Sequence, residues 1–145
     1  MTQIRFYHNT PDPLALACEL VGRAYHGGRR VVVRLEDNRA AQGFDRLLWT
    51  HEAGSFIPHV PADDALAQRT PVLILAAPAN APPDHDDMLF NLAPDIPEEY
   101  DRFRMLVEII GRSESVITPA RRRWQQYKAA GHPLKAFDSV RREAL

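Results

Sequence analysis

Three consecutive valines at positions 31–33 restrict the fold of this chain more than any other feature of the sequence. β-branched residues favour strands, and a strand without polar alternation needs apolar cover on both of its faces. Segments of helical periodicity on either side of the run, around Cys18 and Phe44, provide such cover. The alternation of strand and helix patterns predicts an α/β fold, a Rossmann-like three-layer sandwich with a mainly parallel sheet of about five strands.

Five short apolar runs are the predicted strands of this sheet. They are bounded by turn residues, and none is long enough to form a buried helix instead. The chain shows no internal repeat and no second set of elements, so residues 1–145 are predicted to form one domain. The five predicted strands are residues 4–7, 30–35, 71–75, 88–92 and 105–110.

Capping residues indicate where the helices begin. Asp12 and Asp37 are predicted to cap the first two helices, because short polar side chains accept hydrogen bonds from the free N–H groups of a first turn. A short helix is predicted to open at residues 97–99. A third long helix is predicted over residues 113–130, and Gly131 closes it.

The sequence offers no active site and no cofactor site. Residues 7–12, which follow the first strand, contain no glycine, so the chain lacks the glycine loop through which such folds bind nucleotides. The six histidines have no metal-ligand spacing on a helix, so no metal is predicted. Cys18 lies in an apolar helical stripe, which is typical of a buried thiol in a reducing compartment. We therefore predict neither catalytic residues nor a cofactor.

Charge and hydropathy set the range of partners. The formal net charge is −1, which argues against bulk nucleic-acid binding as the main activity. The charge is unevenly distributed: residues 52–101 hold ten acidic residues and one basic residue, whereas residues 112–145 hold eight basic and three acidic ones. No apolar run approaches ~20 residues, and the first residues form no signal peptide, so a cytoplasmic protein without membrane contact is predicted.

Two large aromatic residues lie outside the core pattern in residues 47–59. Leu48 belongs to the apolar stripe of the second helix, and Trp49 is rotated from it by about 100°. Phe56 follows a break at Gly54, and Pro58 restricts the chain after it. The two rings either cap the core under this loop or anchor a partner, and the pattern leaves both interpretations open.

The last helix carries an aromatic row beside fixed cations. Trp124 and Tyr127 lie on one line that ends at Gly131, with Arg121 and Lys128 beside it. Such a row can bind an apolar group together with a carboxylate, or it can stack single-stranded bases. It can equally be a core-packing stripe with a solvated basic edge. These three interpretations remain open from the pattern alone.

Several of these segments occur together, in order, in a known family. In chain order they are residues 6–7, 47–49, 55–59 and 71–72, followed by Arg121, Trp124, Tyr127, Gly131 and Leu134. This combination resembles the chi subunit of bacterial DNA polymerase III holoenzyme over nearly the whole chain. The Leu-Trp pair followed by Ser-Phe-Ile-Pro-His is the specific part of the resemblance.

The resemblance implies a non-catalytic adaptor of DNA replication. It would connect the clamp loader, through the psi subunit, to the C-terminal tail of the single-stranded-DNA-binding protein, so that its contact with nucleic acid is mainly indirect. The resemblance also implies that, in some bacteria, the psi-facing surface can bind an accessory helicase. The psi-facing residues are expected to be Trp49, Phe56, Pro58 and His59. The tail-binding residues are expected to be Arg121, Trp124, Tyr127, Lys128 and Gly131.

The chain departs from the family pattern at three positions near the tail site. Trp124 stands where a tyrosine or phenylalanine is common, and Ile117 replaces a basic residue of some relatives. Pro119 falls inside the predicted helix and is expected to kink it or delay its start, with Thr118 as an alternative N-cap. A direct single-stranded-DNA binder, an adaptor of an accessory repair helicase and a small-molecule enzyme are the competing hypotheses.

Overall fold

The computed structural model describes residues 2–51, 56–141 and 143–144, and it has an eight-stranded sheet with three helices. The strands pair in the order β3-β4-β2-β5-β6-β1-β7-β8, and all pairs are parallel except β7–β8. This arrangement confirms the predicted Rossmann-like sandwich with a mainly parallel sheet. The strands are β1 (Gln3–His8), β2 (Val31–Leu35), β3 (His59–Pro61), β4 (Val72–Ala76), β5 (Met88–Asn91), β6 (Met105–Ile109), β7 (Leu134–Asp138) and β8 (Glu143–Ala144).

The predicted number of about five strands is too low. The five predicted strands correspond to β1, β2, β4, β5 and β6, which form the centre of the sheet. The additional strands lie outside them, with β3 at one edge and β7 and β8 at the other. Strands near an edge have less cover, so they need no continuous apolar run; in β7 every residue is at least partly exposed. Their sequences therefore carry a weak signal.

The helices lie on both faces of the sheet. α1 (Pro13–His26) and α2 (Asn38–Thr50) pack on one face, and α3 (Glu114–Ala129) packs on the other. The predicted caps are confirmed: the Asp12 carboxylate accepts from the backbone N–H of Ala15 at 3.2 Å, and that of Asp37 accepts from Ala40 at 2.8 Å. The first two helices are thus held over the face where the alternate side chains of β2, such as Val31 and Val33, point.

Two predictions about local helical structure are wrong. Thr118 is not the N-cap of α3, because the helix begins at Glu114 and contains Pro119 in its interior. The first turn is fixed earlier, since the N–H groups of Val116 and Ile117 both donate to the carbonyl of Ser113. The acidic segment at residues 97–99 forms a turn, and only a single 3-10 turn follows at Tyr100–Arg102.

The predicted buried thiol is confirmed. Cys18 faces the core under α1 and is almost completely buried. Burial and the nearby negative charge of Asp12 raise the pKa of this thiol to about 11. None of the helices in the described part of the chain is long and apolar enough to cross a membrane.

We expect Cys18 to be unreactive in the folded protein. An ordinary thiol has a pKa of about 8.5, so a pKa of about 11 lowers the thiolate fraction at pH 8 by a factor on the order of 10², and burial restricts access further. The rate of reaction with a chromogenic disulfide reagent, measured in buffer and in denaturant, tests this. The chain has one cysteine, so denatured protein should release one equivalent rapidly. Equally rapid release from folded protein would contradict the assignment.

Candidate functional site

The aromatic pair, Trp49 and Phe56, is an exposed apolar surface at the end of α2. Trp49 is 45% exposed and Phe56 is 63% exposed. Their ring centroids lie 5.3 Å apart, with the planes tilted by 45°. Residues 52–55, which include the predicted break at Gly54, lie outside the described part of the chain. Ile57 enters the core instead of Phe56, so the larger ring is left at the surface.

His59 supports this pair from below. Its ring is almost completely buried, with Nδ1 2.7 Å from the carbonyl oxygen of Ile57 and Nε2 3.2 Å from that of Asp45. The centroids of the Trp49 and His59 rings are 4.2 Å apart. Pro58, between the loop and β3, is half-buried. The lower part of the indole is therefore held by a fixed partner, while much of its remaining surface is accessible.

A groove on the opposite face of the sheet lies between α3 and strands β1 and β7. It has a volume of about 550 Å³. Trp124 is half-buried in its wall, and its ring packs edge-to-face on Phe6 with centroids 5.1 Å apart. We call this cavity the α3 groove. Its apolar lining comes from Phe6, Ile110, Ile117, Ala120, Trp124 and Ala136.

The polar lining of the α3 groove is positively charged or neutral. Arg121 contributes from the helix, and Arg112, His8 and Asn9 contribute from the carboxyl ends of β6 and β1. No acidic side chain among the described residues lines the groove. The Nε atom of Arg112 donates to Oδ1 of Asn9 at 2.9 Å. The groove thus combines an apolar floor with two guanidinium groups.

Tyr127, one of the expected tail-binding residues, does not line the groove. Its ring is fully buried under α3, because a step of three residues from Trp124 turns the side chain toward the sheet. Its hydroxyl donates to Oε2 of Glu108 at 2.7 Å. Burial and the negative charge of Glu108 raise the pKa of Tyr127 above its ordinary value. Tyr127 therefore packs under α3, and its side chain is not part of the groove lining.

Glu108 is the centre of a buried polar network. Its carboxylate accepts from Nε and Nη2 of Arg123 at 3.0 and 3.1 Å, and from the Asn91 amide at 3.1 Å. Complete burial raises the pKa of this carboxyl group above its ordinary value, although the charge of Arg123 and the hydrogen bonds oppose the shift. All four contacts come from donors, which only an ionised carboxylate accepts together, so we assign the network as a charged pair. It fixes α3 against β5 and β6.

The network continues to a third strand. Nη1 of Arg34, in β2, donates to Oδ1 of Asn91 at 3.1 Å and to Oδ1 of Asp95 at 2.8 Å. Sequence analysis missed this cluster. The signal was one polar residue within each of three apolar runs, Arg34, Asn91 and Glu108, all on the α3 face of neighbouring strands. A charged residue in a buried strand requires a partner of opposite charge.

The remaining predicted tail-site residues lie beyond the groove. Lys128 is exposed in the last turn of α3, and Gly131 follows the helix with a φ of 88°. Neither residue lines the α3 groove. The structure therefore brings Arg121 and Trp124 together with Arg112 and Asn9, which sequence analysis did not assign. Groups of three or more residues suited to a metal ion do not occur within the described residues.

Residues 1–135 match the family model described as DNA polymerase III chi subunit, HolC. The chain belongs to the DNA polymerase III chi subunit family. The match confirms the resemblance seen in the sequence, and it includes the aromatic pair, the supporting residue His59 and the groove residues Arg121 and Trp124. Chi-family membership makes this chain a replication accessory subunit.

Individual chi subunits are similar over most of their length. The DNA polymerase III subunit chi of Escherichia coli K12 is 30% identical over 119 residues, which cover 82% of this chain and 80% of the relative. That of Pseudomonas aeruginosa PAO1 is 30% identical over 139 residues, or 93% and 95% of the two chains. That of Haemophilus influenzae Rd is 27% identical over 120 residues, or 82% of each chain.

Proposed function

We propose that this chi-family chain is a non-catalytic adaptor that connects the clamp loader of DNA polymerase III to the tail of the single-stranded-DNA-binding protein. The observation that supports this most is the position of two binding surfaces on opposite faces of one sheet. The aromatic pair lies at the end of α2, and the α3 groove lies on the other side. Two partners can then be held at the same time.

The aromatic pair is the proposed contact for the psi subunit or, in its place, an accessory helicase. Two adjacent exposed rings supply apolar area with little loss of side-chain entropy, which is typical of interface hot spots. His59 keeps Trp49 in one orientation before binding. Pro58 and His59 therefore act by holding the loop, whereas Trp49 and Phe56 contact the partner.

The α3 groove is the proposed site for the tail. A peptide that ends in acidic residues and an apolar residue carries carboxylates and one hydrophobic side chain. The floor formed by Phe6 and Trp124 suits the side chain, and the planar fork of Arg121 suits a carboxylate. Lys128 and Gly131, which the resemblance also implies, lie past Trp124 toward the end of α3 and do not line this groove. A site this small corresponds to a Kd on the order of micromolar.

We expect Arg121→Ala to weaken tail binding at least tenfold. The variant loses a guanidinium that makes no ion pair within the described residues and is therefore available to the ligand. Fluorescence anisotropy with a labelled acidic peptide ending in phenylalanine measures the change. Arg122→Ala is the matched control, because it removes the same charge from an exposed position that does not line the groove.

Two results would refute the proposed tail site. One is an unchanged affinity in Arg121→Ala, and the other is equal binding of a peptide without its terminal apolar residue. Wild-type binding should also weaken as salt is raised from 50 to about 300 mM, since exposed charges are screened over a Debye length of roughly 10 Å. The competing function is direct binding of single-stranded DNA, which the exposed cations Arg121, Arg122 and Lys128 favour. The same titration with a labelled oligothymidine tests it.

A further inference from the structure

Arg112 is a second cation at the α3 groove with unused donors. It follows β6 and precedes α3, and it is exposed. Only its Nε has a hydrogen-bond partner within the described residues, namely Oδ1 of Asn9. This bond restrains the guanidinium, and its two terminal amino groups have no hydrogen-bond partner within the described residues. Asn9 can supply the bond because β1 and β6 are parallel neighbours whose carboxyl ends meet at one edge.

Neither acidic side chain near this end of the groove forms an ion pair with Arg112 within the described residues. The Asp138 carboxylate accepts from the backbone N–H groups of Val140 and Arg141 at 2.9 and 3.2 Å, and from the Asn9 amide. Glu114 is exposed in the first turn of α3 and forms no ion pair with Arg112 among the described residues. The excess positive charge at the groove is therefore available to an anionic ligand.

We infer that Arg112, oriented by Asn9, binds an acidic side chain of the tail, while Arg121 binds its terminal carboxylate. This inference rests on the proposed function of the α3 groove. It also assigns a direction to the ligand. The peptide ends over Phe6 and Trp124, and its preceding residues run toward the start of α3, where Arg112 lies.

The direction follows from distances along the helix and the peptide. A terminal carboxylate shares its Cα with the terminal side chain, so its partner must stand beside the apolar floor. Arg121 meets this condition because it is three residues from Trp124 on α3. From Trp124 back to Ile117, near the start of the helix, the rise is about 10 Å at 1.5 Å per residue. An extended peptide covers that distance in about three residues. Gly111, the neighbour of Arg112, lies against Val116, which precedes Ile117 in the helix, so Arg112 should meet an acidic side chain about three positions before the terminus.

The test is a set of double-mutant cycles between the protein and synthetic peptides. Wild type, Arg112→Ala, Arg121→Ala and the control Arg122→Ala are each titrated against three labelled peptides by anisotropy. The first peptide is acidic and ends in phenylalanine with a free carboxylate. The second is the same peptide with an amidated terminus. The third has asparagine at the acidic position three residues before the terminus. Arg112→Gln, which keeps the stem of the side chain, serves as a second variant, and circular dichroism confirms folding.

Arg112→Ala is expected to raise the Kd of the first peptide about fivefold, because one partly solvated charge pair is lost. The effect of Arg112→Ala should be the same with the amidated peptide and should fall below about twofold with the asparagine peptide. The effect of Arg121→Ala, in contrast, should become smaller with the amidated peptide. If Arg112→Ala matches Arg122→Ala on every peptide, the assignment of Arg112 is wrong, although a tenfold loss in Arg121→Ala would still support the tail site. If wild type binds none of the peptides, the proposed function fails and this inference fails with it.

Discussion

Glu108→Ala is expected to lower the free energy of unfolding by about 3–5 kcal/mol. The substitution leaves the guanidinium of Arg123 buried without a counter-charge, and it also removes the acceptor of the Tyr127 hydroxyl. Loss of one partner from a buried ion pair is among the most destabilising changes known for single residues. Since a domain of this size has a total stability of about 5–15 kcal/mol, much of it would be lost. Urea unfolding followed by circular dichroism measures the change.

Two further variants separate the charge from the packing. Glu98→Gln is the matched control: Glu98 is exposed, and its replacement should change stability by less than about 0.5 kcal/mol. The double variant Glu108→Met with Arg123→Met removes both charges and should recover part of the loss, because an apolar pair of similar volume avoids an unpaired buried charge. A loss below about 1 kcal/mol in Glu108→Ala would show that the network is not the anchor of α3.

We expect Trp49→Ala and Phe56→Ala each to reduce the free energy of binding to the clamp-loader partner by about 2 kcal/mol or more, which is roughly a thirtyfold increase in Kd. The two rings are neighbours, exposed by 45% and 63%, and neither belongs to the buried core, so truncation removes contact area at the interface and little from the core. The folded stability of each variant should therefore remain close to that of the wild type. Capture of clamp-loader subunits from an extract of the source organism, identified by mass spectrometry and then titrated in purified form, measures the effect.

Leu66→Ala is the matched control for this pair. Leu66 is a large apolar residue with 56% exposure, and it lies outside the aromatic pair and the α3 groove. It tests whether any loss of exposed apolar area reduces binding. The assignment of the aromatic pair would be rejected if both folded variants retained full binding, or if Leu66→Ala reduced it equally. Arg121→Ala should leave this partner bound, because its side chain belongs to the opposite face of the sheet.

The central part of the fold was predictable from the sequence because strands buried on both faces have continuous runs of apolar residues. Residues 31–35 lie between two neighbouring strands and two covering layers, so the environment requires apolar side chains at nearly every position. β3 and β7 have no such requirement. In β7, Lys135 is exposed and the side chains around it are only partly covered. Periodicity therefore cannot distinguish that segment from a loop.

The surfaces were only partly predictable for a related reason. The rotation of Trp49 away from the stripe of α2 left open whether the ring caps the core or is exposed, and in the structure the ring is 45% exposed. On α3, however, Trp124 and Tyr127 share one line, and the sequence does not show which side of that line faces the sheet. Arg112 and Asn9 lie more than 100 residues apart in the chain, and they meet only because β1 and β6 pair. A single sequence carries no record of that pairing.

The place of β1 in the sheet also has a consequence for synthesis of the protein. β1 is translated before the other described strands, yet its two neighbours, β6 and β7, are among the last of these strands to follow. At ~5–20 residues per second, roughly 5–20 s pass before β6 can pair with it. During that time β1 has no neighbouring strand, so the apolar side chains of Ile4 and Phe6 stay uncovered and the nascent chain becomes a candidate for chaperone binding. The wall that Ala136 contributes to the groove is added later still. A chain that ended after α3 would therefore carry the aromatic pair but lack the part of the α3 groove that Ala136 lines.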